Sequence, residues 1–133
     1  MDSPAVREFL MSRGCPDEVV EAGIEGLLTD WEHTVEQVHD GYPLGLDDYL
    51  NDLDGRQLLE EALELLSPGE RETVLERLRA VDQRMKLMVT TWNTCLWGDG
   101  VAASQGWTPE DEWWYFSVPR SPGPLLREDL KRA

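Results

Sequence analysis

Three residues in the first half of the chain, Glu36, His39 and Asp40, have the types and the spacing to hold a metal ion. A Glu-x-x-His step places a carboxylate and an imidazole on one side of a helix, which is how helical bundles bring both to one metal. Di-metal bundles use that step twice, whereas this chain contains it once. The other histidine, His33, projects about 120° around the same helix from His39. A solvated polar face explains the three residues without any ligand, so a helical-bundle metal-binding protein or enzyme using Glu36, His39 and Asp40 is the alternative reading of function.

A second acidic group, Asp52-x-Asp54-Gly55 with Glu61 beyond it, matches the later part of an EF-hand loop. The match fails at the first loop position, which would fall on Leu50, a residue with no oxygen to offer calcium. Asp54 is instead expected to cap a helix start within a solvated acidic turn that also holds Asp47, Asp48 and Asp52. Neither histidine sits near a G-x-S-x-G signature, and there is no G-x-x-x-x-G-K-[ST] phosphate loop; Lys86 and Lys131 are the two lysines of the chain. Paired carboxylates are too common here to point to acid–base catalysis. No catalytic residue and no cofactor is assigned, and the reading leans away from an enzyme.

Tryptophan is the other residue able to do selective work, because its large, rigid, amphipathic ring dominates both cores and interface hot spots. Five of the six fall in one stretch: Trp92, Trp97, Trp107, Trp113 and Trp114. The first expectation is that these rings pin an irregular tail against the helices. Consecutive side chains in Trp113-Trp114-Tyr115-Phe116 cannot all face one way, so at least one ring should be partly exposed. Trp107, Trp113, Trp114 and Tyr115, with Asp47, Asp48 and Asp52, form the candidate partner-binding set.

Charge limits the partner. The chain of 133 residues carries 27 acids against 12 Lys and Arg, a formal charge of −15. Residues 1–66 hold seventeen acids and three arginines, giving −14, and the remainder is nearly balanced. Such a surface disfavours phosphate backbones and anionic membranes and favours a basic protein partner. No apolar run is long enough to span a membrane, and residues 1–10 lack the layout of a secretory signal, so a cytoplasmic setting is expected. Two cysteines, Cys15 and Cys95, are no disulfide framework and are expected to be reduced; Cys15 before Pro16 reads as a small turn residue.

The elements that must position these residues are mostly helical. Ser3-Pro4 opens a first short helix carrying Val6, Phe9 and Leu10, and Gly14 stops it. Pro16 starts a second, on which Val20, Ile24, Leu27, Leu28, Trp31, Val35 and Val38 form a stripe about 100° wide, running to Gly41. Gly23 and Gly26 within it each cost about 1 kcal/mol relative to alanine and mark a kink or a close helix contact. After a turn at Tyr42-Pro43-Leu44-Gly45, a helical piece from Asp47 to Leu53 precedes a third helix, Arg56 to Leu66. Its Leu58, Leu59, Ala62, Leu63, Leu65 and Leu66 should face inward, with Glu60, Glu61 and Glu64 in solvent.

Ser67-Pro68-Gly69-Glu70 matches a capping box and starts a fourth helix, expected to reach about Thr91 with Val74, Leu78, Val81, Met85 and Met88 in its seam. Its bases Arg71, Arg77, Arg79, Arg84 and Lys86 suit a place beside the acidic half. From Trp92 the helical period disappears; Trp113 to Val118 fits strand and helix equally, Pro119 to Pro124 reads as extended linker, and Leu125, Leu126 and Leu130 anchor a last turn.

The expected fold is therefore mainly α and a single domain over 1–133: a compact bundle of four to five helices (1–91), an irregular Trp-rich segment packed on it (92–124, with room for one short strand or hairpin), and a helical turn or tail (125–133). The leading functional expectation is a non-enzymatic acidic binding protein, an inhibitor, immunity-type or regulatory partner of a basic protein. Homo-oligomerisation through the Trp patch, as a homodimer, is a further alternative.

Overall fold

Arg56 shows how the molecule is put together. Its side chain is 4% exposed, although a guanidinium cannot lose its proton and leaves water only when its donors are met. A computed structural model describing residues 3–133 shows how they are met. Arg56 donates from Nε and Nη2 to the two carboxylate oxygens of Asp82, at 3.2 and 2.8 Å, and from Nη1 to Glu60 at 2.9 Å. The Trp114 ring covers it, with 4.1 Å from the guanidinium carbon to the ring centroid. Trp31 donates its indole N–H to the same Asp82 oxygen at 2.9 Å.

These residues come from four parts of the chain. The described residues form six helices: α1 (Pro4–Ser12), α2 (Asp17–Asp40), α3 (Leu46–Leu63), α4 (Pro68–Lys86), α5 (Asp99–Gln105) and α6 (Pro124–Arg132). Trp31 lies on α2, Arg56 on α3, Asp82 on α4, and Trp114 in a 3-10 turn, Trp113–Phe116. Two short strands, β1 (Val89–Thr91) and β2 (Ser117–Pro119), pair antiparallel with Thr90 opposite Val118. The fold is mainly α, with the Trp-rich segment packed on the bundle, as the sequence implies. One connected core runs from Val6 to Leu126.

Local chemistry explains most of the boundaries. Ser3 caps α1 by accepting from Val6 N, and Ser67 caps α4 by accepting from Glu70 N while its hydroxyl reaches the Glu70 carboxylate at 2.8 Å. All seven stripe residues of α2 are buried. The helix breaks at Gly23, whose φ of 60° and ψ of −146° suit glycine and almost nothing else. Between α2 and α3, Tyr42 is tied to the approach of α6 by the Gly123 amide; a Cβ on Gly123 would lie 2.3 Å from the Tyr42 carbonyl oxygen. Gly45 offers α3 no side-chain cap, and Asp129 of α6 supplies one, accepting from Leu46 N at 2.9 Å.

The structure corrects four boundary and facing expectations. Asp47–Leu53 and Arg56–Leu66 are one continuous helix through Gly55, so Asp54 is an interior residue and not a cap. Tyr49, Leu50, Leu53, Arg56, Leu59 and Leu63 are all buried at helical spacing across that glycine, and burying this face outweighs the glycine's cost of about 1 kcal/mol. Leu65 lies beyond the helix end and is exposed. Helix α4 stops at Lys86, because Val89 to Thr91 pair with β2 instead. The 92–124 stretch is less irregular than expected: it contains α5, and Trp113 to Val118 divides into the 3-10 turn followed by β2. The bases of α4 do meet the acidic half, Arg77 pairing with Glu25 and Glu32 of α2 and Arg84 with Glu36.

Replacing Asp82 with alanine would strand a buried guanidinium, and the expected loss in unfolding free energy is about 3–5 kcal/mol by urea denaturation. A loss under about 1 kcal/mol, the size typical of a surface pair, would show that Arg56 is not held as described. Gly23→Ala should cost about 1–3 kcal/mol through its backbone alone, and an unchanged midpoint would remove the kink.

Candidate functional site

The turn Arg13–Pro16, the middle of α2 and the outer side of α3 enclose a cleft of about 460 Å³. The α1–α2 turn supplies Arg13 and Cys15, α2 supplies Leu27, Asp30, Trp31 and His33, and α3 supplies Asp52, Asp54 and Leu58. An adjoining pocket of about 270 Å³ shares Arg13, Cys15, Asp54 and Leu58 and extends the cleft toward Glu61, Gln105, Trp107 and Tyr115. The result is a groove along α3 with an apolar floor, an acidic rim and aromatic rings at one end.

Asp52 and Asp54 follow from helix geometry. They lie two residues apart on α3, and the intervening Leu53 is fully buried, so the two acids flank the core-facing line of the helix. Asp52 accepts from the Tyr42 hydroxyl at 2.5 Å. Burial pushes its carboxyl above the ordinary value; the Tyr42 hydrogen bond and His33 pull the other way, while Asp48 and Asp30 add to the rise. The neighbouring phenols of Tyr42 and Tyr49 are pushed up, first by burial and then by Asp52, so both stay protonated at neutral pH.

Asp54 joins the groove to the C-terminal segment. One of its oxygens accepts from both Tyr115 OH, at 2.6 Å, and Trp97 Nε1, at 3.0 Å. Tyr115 in turn is stacked by Trp107, with centroids 4.1 Å apart and planes 16° from parallel. At the aromatic end Arg13 reaches Glu61 and lies over the Phe9 ring at 4.9 Å, so a guanidinium of the chain itself already occupies an acid of the groove. Cys15 and Cys95 are both free thiols. Burial raises the Cys95 thiol above its ordinary value, which suits a packing residue.

The candidate partner-binding residues separate. Asp52, Trp107 and Tyr115 line the groove, and Asp47 and Asp48 stand exposed on the first turn of α3. Trp113 lines a different pocket, beside β1 and β2. Trp114 and Tyr115 are each 1% exposed, and their rings are spent on Arg56 and on Trp107. Within Trp113–Phe116 the partly exposed rings are Trp113 and Phe116, and outside it Trp97 is 43% exposed.

The metal-type group is assembled but engaged. Ligand atoms of Glu36, His39 and Asp40 lie within 4.8 Å of one another, all on exposed residues. Arg84 donates to Glu36 at 2.7 Å, and that hydrogen bond, then its charge, holds the Glu36 carboxyl below the ordinary range. His39 Nδ1 lies 3.1 Å from Asp40, and His33 lies in the groove, away from this group.

Sequence reasoning missed Asp30, Arg13 and the inward role of Asp54. Asp54 was legible in principle, because the buried positions 49, 53, 56 and 59 continue through Gly55 without a break in period. Asp30 and Arg13 carried no local signal, since their meeting with α3 depends on how the helices pack. No protein-family model, no curated protein and no solved structure matches this chain.

Because the Asp52 carboxyl is raised, the native state binds its proton more tightly than the unfolded chain does. Its contribution to stability is therefore full below the ordinary value of 3.8 and is lost as pH rises through the raised value. Asp52→Asn keeps an acceptor for Tyr42 and removes the buried charge. Its melting temperature relative to wild type should rise between pH 3 and pH 7, read by differential scanning calorimetry at about those two values. A difference that stays constant or falls with pH would contradict the placement of Asp52.

Proposed function

We propose that the protein is a non-enzymatic binding protein whose acidic groove docks a basic segment of another protein, in the manner of an inhibitor, immunity-type or regulatory partner. The observation carrying this reading is how the acids are matched. On the side of α2 facing α4, Glu25, Glu32 and Glu36 are each met by an arginine. At the groove Asp30, Asp52 and Asp54, and on the first turn of α3 Asp47 and Asp48, meet no Lys or Arg within salt-bridge distance among the described residues.

A rim that leaves Asp30, Asp52 and Asp54 without a cation, over an apolar floor, suits a chain segment that alternates cations with aliphatic side chains. The rim speeds encounter, and the apolar contact with Leu27, Trp31 and Leu58 slows release. The raised Asp52 carboxyl adds to this, since a cation arriving beside it relieves the cost of keeping its charge half-buried. Among the described residues no helix is long and apolar enough to cross a membrane, and a cytoplasmic setting fits the two free thiols.

A second reading, a metal-binding protein, rests on the 4.8 Å clustering of Glu36, His39 and Asp40. Arg84 already holds one oxygen of Glu36 and its positive charge opposes a cation there, which weakens this reading against the first. Zinc titration by calorimetry tests it: one saturable site lost in His39→Ala supports the reading, and no saturable heat removes it.

The main proposal is tested with a fluorescein-labelled peptide alternating leucine and arginine, followed by anisotropy at low and moderate salt. Binding should weaken with salt, and Asp30→Asn and Asp52→Asn should each reduce affinity by roughly threefold to tenfold. Glu25→Gln, which removes an acid already held by Arg77, should change it little. Equal losses in all three variants would reduce the effect to net charge and overturn the groove as the binding site.

A further inference from the structure

The cations of this chain are matched as closely as charge composition allows, with three exceptions. Arg7, Arg13, Arg56, Arg71, Arg77, Arg79, Arg84, Lys131 and Arg132 each lie within 4.0 Å of a carboxylate. Among the described residues Lys86, Arg120 and Arg127 have no such partner. In a protein with 27 acids and 12 bases, a cation left without an acid is unexpected, and two of the three line the same pocket.

That pocket lies between the end of α4 and the β1–β2 pair and shares no lining residue with the groove. It measures about 390 Å³, within the range of roughly 300–1,000 Å³ usual for small-molecule sites. Lys86, Arg120, Trp113, Phe116, Thr90 and Thr91 form its walls. The Lys86 ammonium stands 5.1 Å from the Trp113 ring centroid and makes no hydrogen bond to another described residue. Arg120 is fixed from behind: its Nε donates to the Val89 carbonyl at 3.0 Å and its backbone N–H to Met88 at 2.9 Å. The two terminal amino groups of its guanidinium have no acceptor among the described residues.

A fixed guanidinium with its planar fork unoccupied, an exposed ammonium and two half-buried aromatic rings together recognise one chemistry. The fork takes a carboxylate through two parallel hydrogen bonds, and the rings take a flat apolar body. We infer that this pocket is a binding site for a small aromatic carboxylate, independent of the groove and of the function proposed for it. The field of a −15 chain works against polyanions such as nucleic acids. A monoanion meets less of that repulsion, which is largely screened beyond about 8–10 Å at moderate salt, while the contacts to Lys86 and Arg120 are direct.

The test is calorimetric titration of the intact protein with 2-naphthoate, beside 2-naphthalenemethanol, which lacks the charge, and acetate, which lacks the rings. Saturable one-to-one binding of naphthoate is expected, with both analogues weaker by about tenfold or more. Lys86→Gln should cost about tenfold in affinity, as expected for one charge-assisted hydrogen bond, and Arg120→Gln at least as much. Arg127→Gln, altered at the unmatched cation outside the pocket, should bind as wild type does. Lys86 is exposed and makes no structural hydrogen bond, so its variant remains informative if the Arg120 variant folds poorly. Absence of saturation in the wild type, equal binding of the uncharged analogue, or unchanged affinity in Lys86→Gln would each overturn the assignment.

Discussion

A guanidinium removed from water has to be paired, and the pairing of Arg56 fixes where everything else goes. Asp82 comes from α4, Trp31 from α2 and Trp114 from the C-terminal segment, and all converge on one side chain of α3. A buried pair of this kind adds little over a well-packed apolar replacement, but an arrangement that buries one partner without the other is heavily penalised. Helix register, the choice of neighbours for α3 and the docking of the last third of the chain are therefore selected together. The groove depends on the same selection, since its two long walls, α2 and α3, are held in place through Trp31 and Arg56.

The second organising constraint is charge. An acidic chain can balance few of its carboxylates, and this one spends three arginines of α4 on α2 and on α4 itself, where helices pack side by side. Exposed pairs of this sort contribute little individually, yet they decide which face remains negative. Among the carboxylates left without a cation are those of Asp30, Asp52 and Asp54 at the groove and of Asp47 and Asp48 on the first turn of α3. Two of the three unmatched cations, Lys86 and Arg120, lie at the strand pair, in a pocket that shares no lining residue with the groove. The groove and the strand-pair pocket therefore differ in the sign of the unmatched charge that lines them.

Much of the fold was legible because it rests on local rules. The α2 stripe, the Ser67 cap, the kink at Gly23 and the α6 anchor residue Leu126 all follow from period, capping or backbone freedom. The misreadings share a cause: tertiary contacts outweighed local signals. Asp54-Gly55 reads as a helix start, but a buried face continuing from Tyr49 to Leu63 carried α3 through it. Val89 continues the seam of α4 in sequence, but β2 offered its backbone a ladder. That Trp114 and Tyr115 are the buried rings of their run was not legible, because the arginine and the aspartate they pack against lie on α3, far away in sequence. The groove was half legible: Asp52 and Trp107 were named, whereas Asp30 and Arg13 reach it only through packing.

The central claim is that the C-terminal segment and the bundle form one cooperative unit around Arg56. Native-state hydrogen exchange under increasing denaturant measures this most directly, comparing Trp92 and Leu96, whose amides bond to Phe116 and Tyr115, with Leu59 in the middle of α3. The account predicts one opening free energy and one denaturant slope for all three. Exchange at Trp92 and Leu96 through a much smaller opening, with Leu59 still protected, would contradict it.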